Sequence, residues 1–158
     1  MNNIKELSFM KHKPQAVAIV KGSPYHPMIQ GKVSFYQTKE GVVVIAQITG
    51  LPENDDVCRK PIFAMHVHSG KRCSGNANDF FADAMTHFNP NDCLHPYHAG
   101  DLPPLFGVNG QAFSAFLTNR FSVEQIKGKT VIIHDSPDDF SSQPAGNSGK
   151  KIACGIIT

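Results

Sequence analysis

The stretch that most constrains this chain runs from Phe63 to Gly70, FAMHVHSG. Read as a β-strand, its successive side chains point to opposite faces. Phe63, Met65 and Val67 then share one face, and His66 and His68 share the other. The apolar face demands a core. The opposite face presents two imidazoles about 7 Å apart at the backbone, close enough to converge on one metal ion. A fold that satisfies both faces is a β-layer with a core on one side and chemistry on the other. The remaining ligands must come from elsewhere in the chain.

The rest of the sequence supplies such layers. AVAIVKG (16–22), GKVSFYQ (31–37), GVVVIAQITGLP (41–52), KTVIIHD (129–135) and the closing KIACGIIT are β-branched or alternating runs bounded by Gly and Pro. LFGVNGQAFSAFL (105–117) carries Asn109-Gly110, a strong hairpin signal. SVEQIKG (122–128) reads as one short helical turn. Two long segments, roughly 70–104 and 135–150, are rich in Asn, Asp, Gly, Ser and Pro, and loops of that length are usually functional. About eight short strands with almost no helix predict an all-β antiparallel sandwich or barrel. At 158 residues it is one domain, expected over 15–158 behind a polar N-terminal arm, 1–14.

Several function classes drop out. A formal charge of only +2 gives no nucleic-acid surface. No apolar run reaches the roughly 18 residues of a membrane span. The start, MNNIKELSFMKHKP, lacks the apolar core of a signal peptide. The expected compartment is therefore the cytoplasm, or the periplasm or exterior if a leader has been removed. Cysteines 58, 73, 93 and 154 form no C-x-x-C pair, and four allow three pairings or none.

Eight histidines are present. His12 and His26 lie in polar or turn segments and read as surface residues. The other six, 66, 68, 87, 95, 98 and 134, sit in or beside the long loop or at a strand end, with Asp101 near them in sequence. Imidazole suits copper, zinc, iron and nickel. Three histidines and one Asp make the closed set expected of structural zinc, and four histidines favour copper. Six histidines and one Asp offer seven ligands. Two four-coordinate ions need eight, so one ligand would bridge, and a bridging imidazole must lose both ring protons.

HVHSG followed by a Cys, then HFNP, HAGDLPPL, GKTVIIHDSPDD and GNSGKKIACGII stand in this order along the chain. Together they resemble the copper/zinc superoxide dismutase family, over about residues 16–157. The resemblance implies an eight-stranded antiparallel Greek-key barrel with two long functional loops, a zinc loop and an electrostatic loop. It implies copper on His66, His68, His87 and His134, zinc on His87, His95, His98 and Asp101, and His87 as the bridge. Asp138 matches the carboxylate that links a copper histidine to a zinc histidine. Cys73 and Cys154 match the family's disulfide. The implied reaction is disproportionation of the superoxide anion to dioxygen and hydrogen peroxide, with no nucleic-acid or membrane partner and a homodimer as one expected state.

Three departures stand out. Only Pro96 and Tyr97 separate His95 from His98, so Cys93 is an alternative zinc ligand. The 135–150 loop is short. Lys151 occupies the place of the family's active-site arginine, which keeps the charge but loses the planar fork; slower turnover or a weaker salt dependence is expected. Cys58 and Cys93 are additional to the family pattern and are candidates for a second bridge. Two other readings compete. One is a non-catalytic, metallochaperone-like copper/zinc domain of the same fold. The other is a cupin-type iron or manganese oxygenase, which wants a Glu soon after its His-x-His, where this chain has Ser69-Gly70-Lys71-Arg72.

Overall fold

The computed structural model describes residues 12–158. The arm expected at 1–14 therefore lies mostly outside the described residues. Three strands form a hairpin-linked run: β1 (Ala16–Gly22), β2 (Gln30–Gln37) and β3 (Val42–Thr49). Their inward positions are apolar at every second residue: Ala16, Ala18 and Val20 in β1, then Val42, Val44, Ala46 and Ile48 in β3, all buried.

The chain then enters β4 (Ile62–Phe63) and β5 (Met65–His68). The single strand expected there breaks at Ala64, because β4 and β5 serve different partners. The first pairs with β6 (Leu105–Phe106) and the second with β8 (Thr130–His134). The shared apolar face survives the break, with Phe63, Met65 and Val67 all in the main core. β7 (Gln111–Thr118) pairs with β3, and β9 (Lys151–Ile156) pairs with β8 and β1. The large sheet therefore runs β5-β8-β9-β1-β2-β3-β7, with β4-β6 as a second, two-stranded sheet.

With β4 and β5 taken as one interrupted strand, the described residues contain eight strands. The antiparallel neighbours β9–β1 and β3–β7 are far apart in sequence, which is the Greek-key crossing, and β6 closes the curled sheet between β4 and β7. The Asn109-Gly110 hairpin is smaller than its strand pattern suggests. Both residues adopt positive φ, 49° and 69°, but only Val108 and Gln111 pair across the turn, since β6 and β7 are claimed by other strands. The helical turn at 122–128 is α1 (Val123–Ile126), started by a reciprocal Ser122–Gln125 capping box and held by buried Val123 and Ile126.

β5 and β8 are buried on both faces. Val67, Val131 and Ile133 enter the core. The opposite face carries His66, His68, Thr130, Ile132 and His134, since residues paired across an antiparallel ladder share a face. This face is covered by the 69–101 loop, which the Cys73–Cys154 disulfide and a small cluster of Phe81, Ala84, Ile132 and Cys154 fasten down. The histidine face is thus an outer wall of the barrel sealed under a loop.

Candidate metal centre

Backbone pairing brings the loop's ligands onto β5. His68 bridges to His87 and His66 bridges to Asp101 in antiparallel register. Between them, Val67 N donates to Gly100 O, Phe88 N to Val67 O and Gly100 N to Phe88 O, each within 2.9 Å. A Cβ on Gly100 would come within 2.2 Å of the Val67 carbonyl, so only glycine allows the HAGD turn to lie this close to the strand.

The result is two buried four-residue groups that share one member. His66, His68, His87 and His134 form the first, and His87, His95, His98 and Asp101 the second. Within each group one ligating atom per residue lies within 4.8 Å of the others. All seven residues, and Asp138, are buried. His12 is exposed, as expected of a surface residue, whereas His26 is half-buried and bonds to Ser23 Oγ; neither belongs to either group.

Hydrogen-bond partners fix which nitrogens face inward. Asp138 Oδ2 accepts from His66 Nε2 at 2.8 Å, and its Oδ1 accepts from His95 Nε2 at 2.9 Å. Those protons leave the Nδ1 lone pairs of His66 and His95 unpartnered and aimed into the two groups. His68 Nδ1 donates to Met85 O at 2.9 Å and His134 Nδ1 donates to Gly149 O at 3.4 Å, which leaves two Nε2 lone pairs 3.3 Å apart. His87 Nδ1 lies 2.7 Å from Asp101 Oδ1 and 3.4 Å from His98 Nδ1, while its Nε2 has no partner. His95 Nδ1 stands 3.0 Å from Asp101 Oδ2 without making a hydrogen bond. Buried lone pairs pointed at one another repel, and a cation in each group removes that cost. The first group offers four imidazole nitrogens and the second three nitrogens and a carboxylate; these sets suit copper and zinc.

Electrostatics agree with neutral rings at His66, His68 and His134 in the first group. Burial, then neighbouring His134 and His87, holds His68 well below the ordinary imidazole range. Burial and His66 bring His134 down to about 3. Burial opposes ionisation of Asp101 and Asp138, but the histidines around each, and for Asp138 also the Phe140 N–H, outweigh it, and both carboxyls lie below the usual range.

The short His95–His98 segment reaches the site by two successive turns, Tyr97 N to Leu94 O and Asp101 N to His98 O. Cys93 is not part of the second group: its backbone is tied to the Asn89 side chain on both sides and its Sγ turns toward Asn91 O. The Cys73–Cys154 bridge is present, with a sequence separation of 81. The second bridge does not form. Cys58 lies exposed in the segment between β3 and β4, Cys93 is held in the loop by Asn89, and both are free thiols. Lys151 is not an open cation: its Nζ donates to Asp79 Oδ2 at 2.7 Å and to Phe81 O at 3.2 Å.

Three supports went unread in the sequence. Arg120 Nη1 reaches the carbonyls of Pro96, His98 and Asp101. The Gln143 amide clamps the His95 backbone, accepting from its N–H at 3.0 Å and donating to its carbonyl at 2.7 Å. Gly146, at φ +66°, leaves room for the Asp138–His95 contact, which a Cβ would invade at 2.0 Å from Asp138 Oδ1. Each acts across a gap of 19 residues or more, or through a backbone shape; the Gly146-Asn147-Ser148-Gly149 run was the one local hint.

Comparison with known proteins agrees with this geometry. The family described as copper/zinc superoxide dismutase (SODC) matches residues 29–157. "Superoxide dismutase [Cu-Zn] 2" of Aquifex aeolicus is 34% identical over 142 residues, covering 80% of this chain and 78% of that protein. The "Superoxide dismutase [Cu-Zn]" of Legionella pneumophila is 33% identical over 139 residues, covering 83% and 79%. The rat "Copper chaperone for superoxide dismutase" is 30% identical over 162 residues, covering 95% of this chain but 55% of its own length. The fold matches the solved "Cu/Zn superoxide dismutase from Brucella abortus" with a TM-score of 0.76 at 21% identity, over 91% of this chain and all of that one. With the family model matched over residues 29–157, and two buried candidate ligand groups sharing one imidazole, the chain belongs to the copper/zinc superoxide dismutase family.

Proposed function

We propose that this protein disproportionates superoxide, with copper on His66, His68, His87 and His134, zinc on His87, His95, His98 and Asp101, and His87 shared between them. The observation that carries the reading is the double membership of His87, one ring nitrogen facing each group. When bound, copper supplies one-electron chemistry and zinc supplies a fixed positive charge that does no redox work.

The chain's residues do the rest. β5 and β8 hold three imidazoles on rigid backbone, so the copper group keeps its shape. Asp138 fixes the tautomers of His66 and His95 together, which couples the two groups mechanically. Asp101 Oδ1 accepts from His87 Nδ1; zinc held there would take the place of that proton, so a proton carried by His87 would reside on Nε2, facing the first group. That atom is the proton donor for the forming peroxide. Lys151 pairs with His134 between β8 and β9, and its ammonium lies beside this face in an ion pair with Asp79.

The rat relative's name raises a second reading, a copper-delivery domain without turnover. The complete set of seven ligands favours the enzyme. The test is superoxide consumption by pulse radiolysis, using protein loaded with both metals and the His87→Ala variant. The expected result is metal-dependent consumption that falls by about 10²–10⁴-fold in the variant, the range of a lost proton donor. Copper placed in both groups also shows magnetic coupling by electron paramagnetic resonance if His87 is shared. Loaded protein that consumes no superoxide rejects the enzyme reading, and uncoupled copper spins reject the bridge.

A further inference from the structure

Lys151 sits where an approaching anion would need it, yet it is engaged. It pairs with His134 across an irregularity in the β8–β9 ladder, and its ammonium bonds Asp79 and Phe81 of the loop that covers the face carrying His66, His68 and His134. The Lys151 side chain is only 15% exposed, whereas that of its partner, Asp79, is 39% exposed. An anion nearing this face meets the negative member of the pair first.

Asp79 is built into place. Its Oδ1 accepts from Phe81 N–H at 2.9 Å, and its own N–H donates to Asn76 Oδ1 at 3.1 Å. Its carbonyl accepts from both Asn76 N and Ala82 N. Phe81 is packed with Ala84, Ile132 and Cys154, and the segment is stapled by the Cys73–Cys154 bridge. Partial burial works against ionisation of Asp79, but the Lys151 ammonium and the Phe81 N–H outweigh it, so the carboxyl lies below the usual range. The carboxylate is therefore charged at neutral pH and delivered to Lys151 by loop architecture.

We infer that Asp79 is a specificity-determining residue that takes up the charge of Lys151 and so sets how strongly the centre recruits small anions. The inference rests on the proposed superoxide-consuming centre and adds to it a built-in attenuator of anion attraction. Steering by fixed charge changes association by about 10–10³-fold for a whole field. One released lysine should account for about the lower end of that range or a few-fold less.

The experiment uses protein loaded with copper and zinc and titrates it with azide, a small monovalent anion, followed by visible absorption. Parent, Asp79→Asn, Asp79→Ser, Lys151→Met and the Asp79→Asn/Lys151→Met double variant are compared at about 10 mM and about 200 mM salt, where the screening length falls from roughly 30 Å to below 10 Å. Both Asp79 variants should bind azide about three- to tenfold tighter at low salt. The gain should shrink at high salt and vanish in the Lys151→Met background. A structural role alone would not produce that salt and lysine dependence.

A metal-free readout stands beside it. In lysine-¹⁵N-labelled protein, the Lys151 ammonium signal should be slowed in exchange by its two acceptors and lose that protection in Asp79→Asn. The inference is overturned if azide affinity stays within twofold of the parent in both Asp79 variants, if the gain persists without Lys151, or if the ammonium is unprotected in the parent. Superoxide consumption is recorded on the same samples. Absent consumption with the azide pattern intact rejects the functional reading and keeps Asp79; consumption without the azide pattern does the reverse.

Discussion

His68 and His134 face each other nitrogen to nitrogen, with their Nε2 atoms 3.3 Å apart under a sealed loop. Each has given its other ring proton to a backbone carbonyl, so neither Nε2 carries a hydrogen toward the other. The pair is poised for a cation, and burial makes protonation the unfavourable way to supply one.

This relationship fixes the acid response of metal-free protein. His134 is brought down to about 3 and His68 well below its ordinary value of 6.5, with burial the main cause for both. Between those values and 6.5 the unfolded chain binds protons that the folded chain refuses. The stabilisation is full above about pH 6.5 and is lost as pH falls through that window, at up to about 1.4 kcal/mol per pH unit for each such histidine. The melting temperature of metal-free protein should be flat from pH 8 to 7 and drop steadily from 6.5 to 4. A flat profile between pH 7 and 5 would contradict the burial of these rings.

Asp138 joins His66 and His95 through its two oxygens, so Asp138→Asn disturbs both groups at once. An amide offers one acceptor and one donor. The imidazole facing the new NH₂ must accept at Nε2, which moves its proton to Nδ1, the atom that faces a metal. Copper or zinc affinity should fall by about 10–100-fold, the usual cost of losing such a partner. Chelator competition, run separately for each metal, measures it. Affinities within threefold of the parent for both would mean that the carboxylate does not set these tautomers.

The clustering of these residues was legible in sequence because the candidate ligands ride on local patterns. His66 and His68 alternate on one strand, and His98 and Asp101 share one turn, so spacing alone carries them to one place. What escaped was contact made across loops. Nothing near Asp79 announces Lys151, 72 positions away, and nothing near Arg120 announces the three carbonyls it holds. The break at Ala64 was equally hidden, because a strand pattern records which face is apolar and says nothing of which neighbour each residue pairs with. The Cys58–Cys93 bridge failed for the same reason: two cysteines in loops say nothing of whether their paths meet.

Gly146 shows how a backbone shape can matter as much as a ligand. It holds φ +66°, and an added Cβ would lie 2.0 Å from Asp138 Oδ1 and 2.7 Å from His95 Nε2. Gly146→Ala therefore incurs left-handed strain and pushes the linking carboxylate off its histidines. A loss of about 1–3 kcal/mol in unfolding free energy is expected, together with weaker zinc binding. Urea denaturation of metal-free protein and zinc titration test the two effects. Unchanged stability would mean that the 138–146 turn is loose enough to absorb a methyl group.

The Cys73–Cys154 bridge closes a loop that contains His87, His95, His98, Asp101 and His134 between its ends. By chain entropy, a closed loop of this size stabilises the fold by about 4–5 kcal/mol. Its second effect is local, since Cys154 also sits in the small cluster with Phe81, Ala84 and Ile132 that seats the loop on β8 and β9. Reduction should therefore loosen the loop before it unfolds the barrel, because the main core does not include either sulfur. In Cys73→Ser, hydrogen exchange should rise first at 70–87, where Gly70 N and Ser69 N bond to Ala84 O and Thr86 O. The β1–β2–β3 amides should stay protected, and zinc should dissociate faster. Uniform loss of protection across all strands would show instead that the bridge supports the whole barrel as one unit.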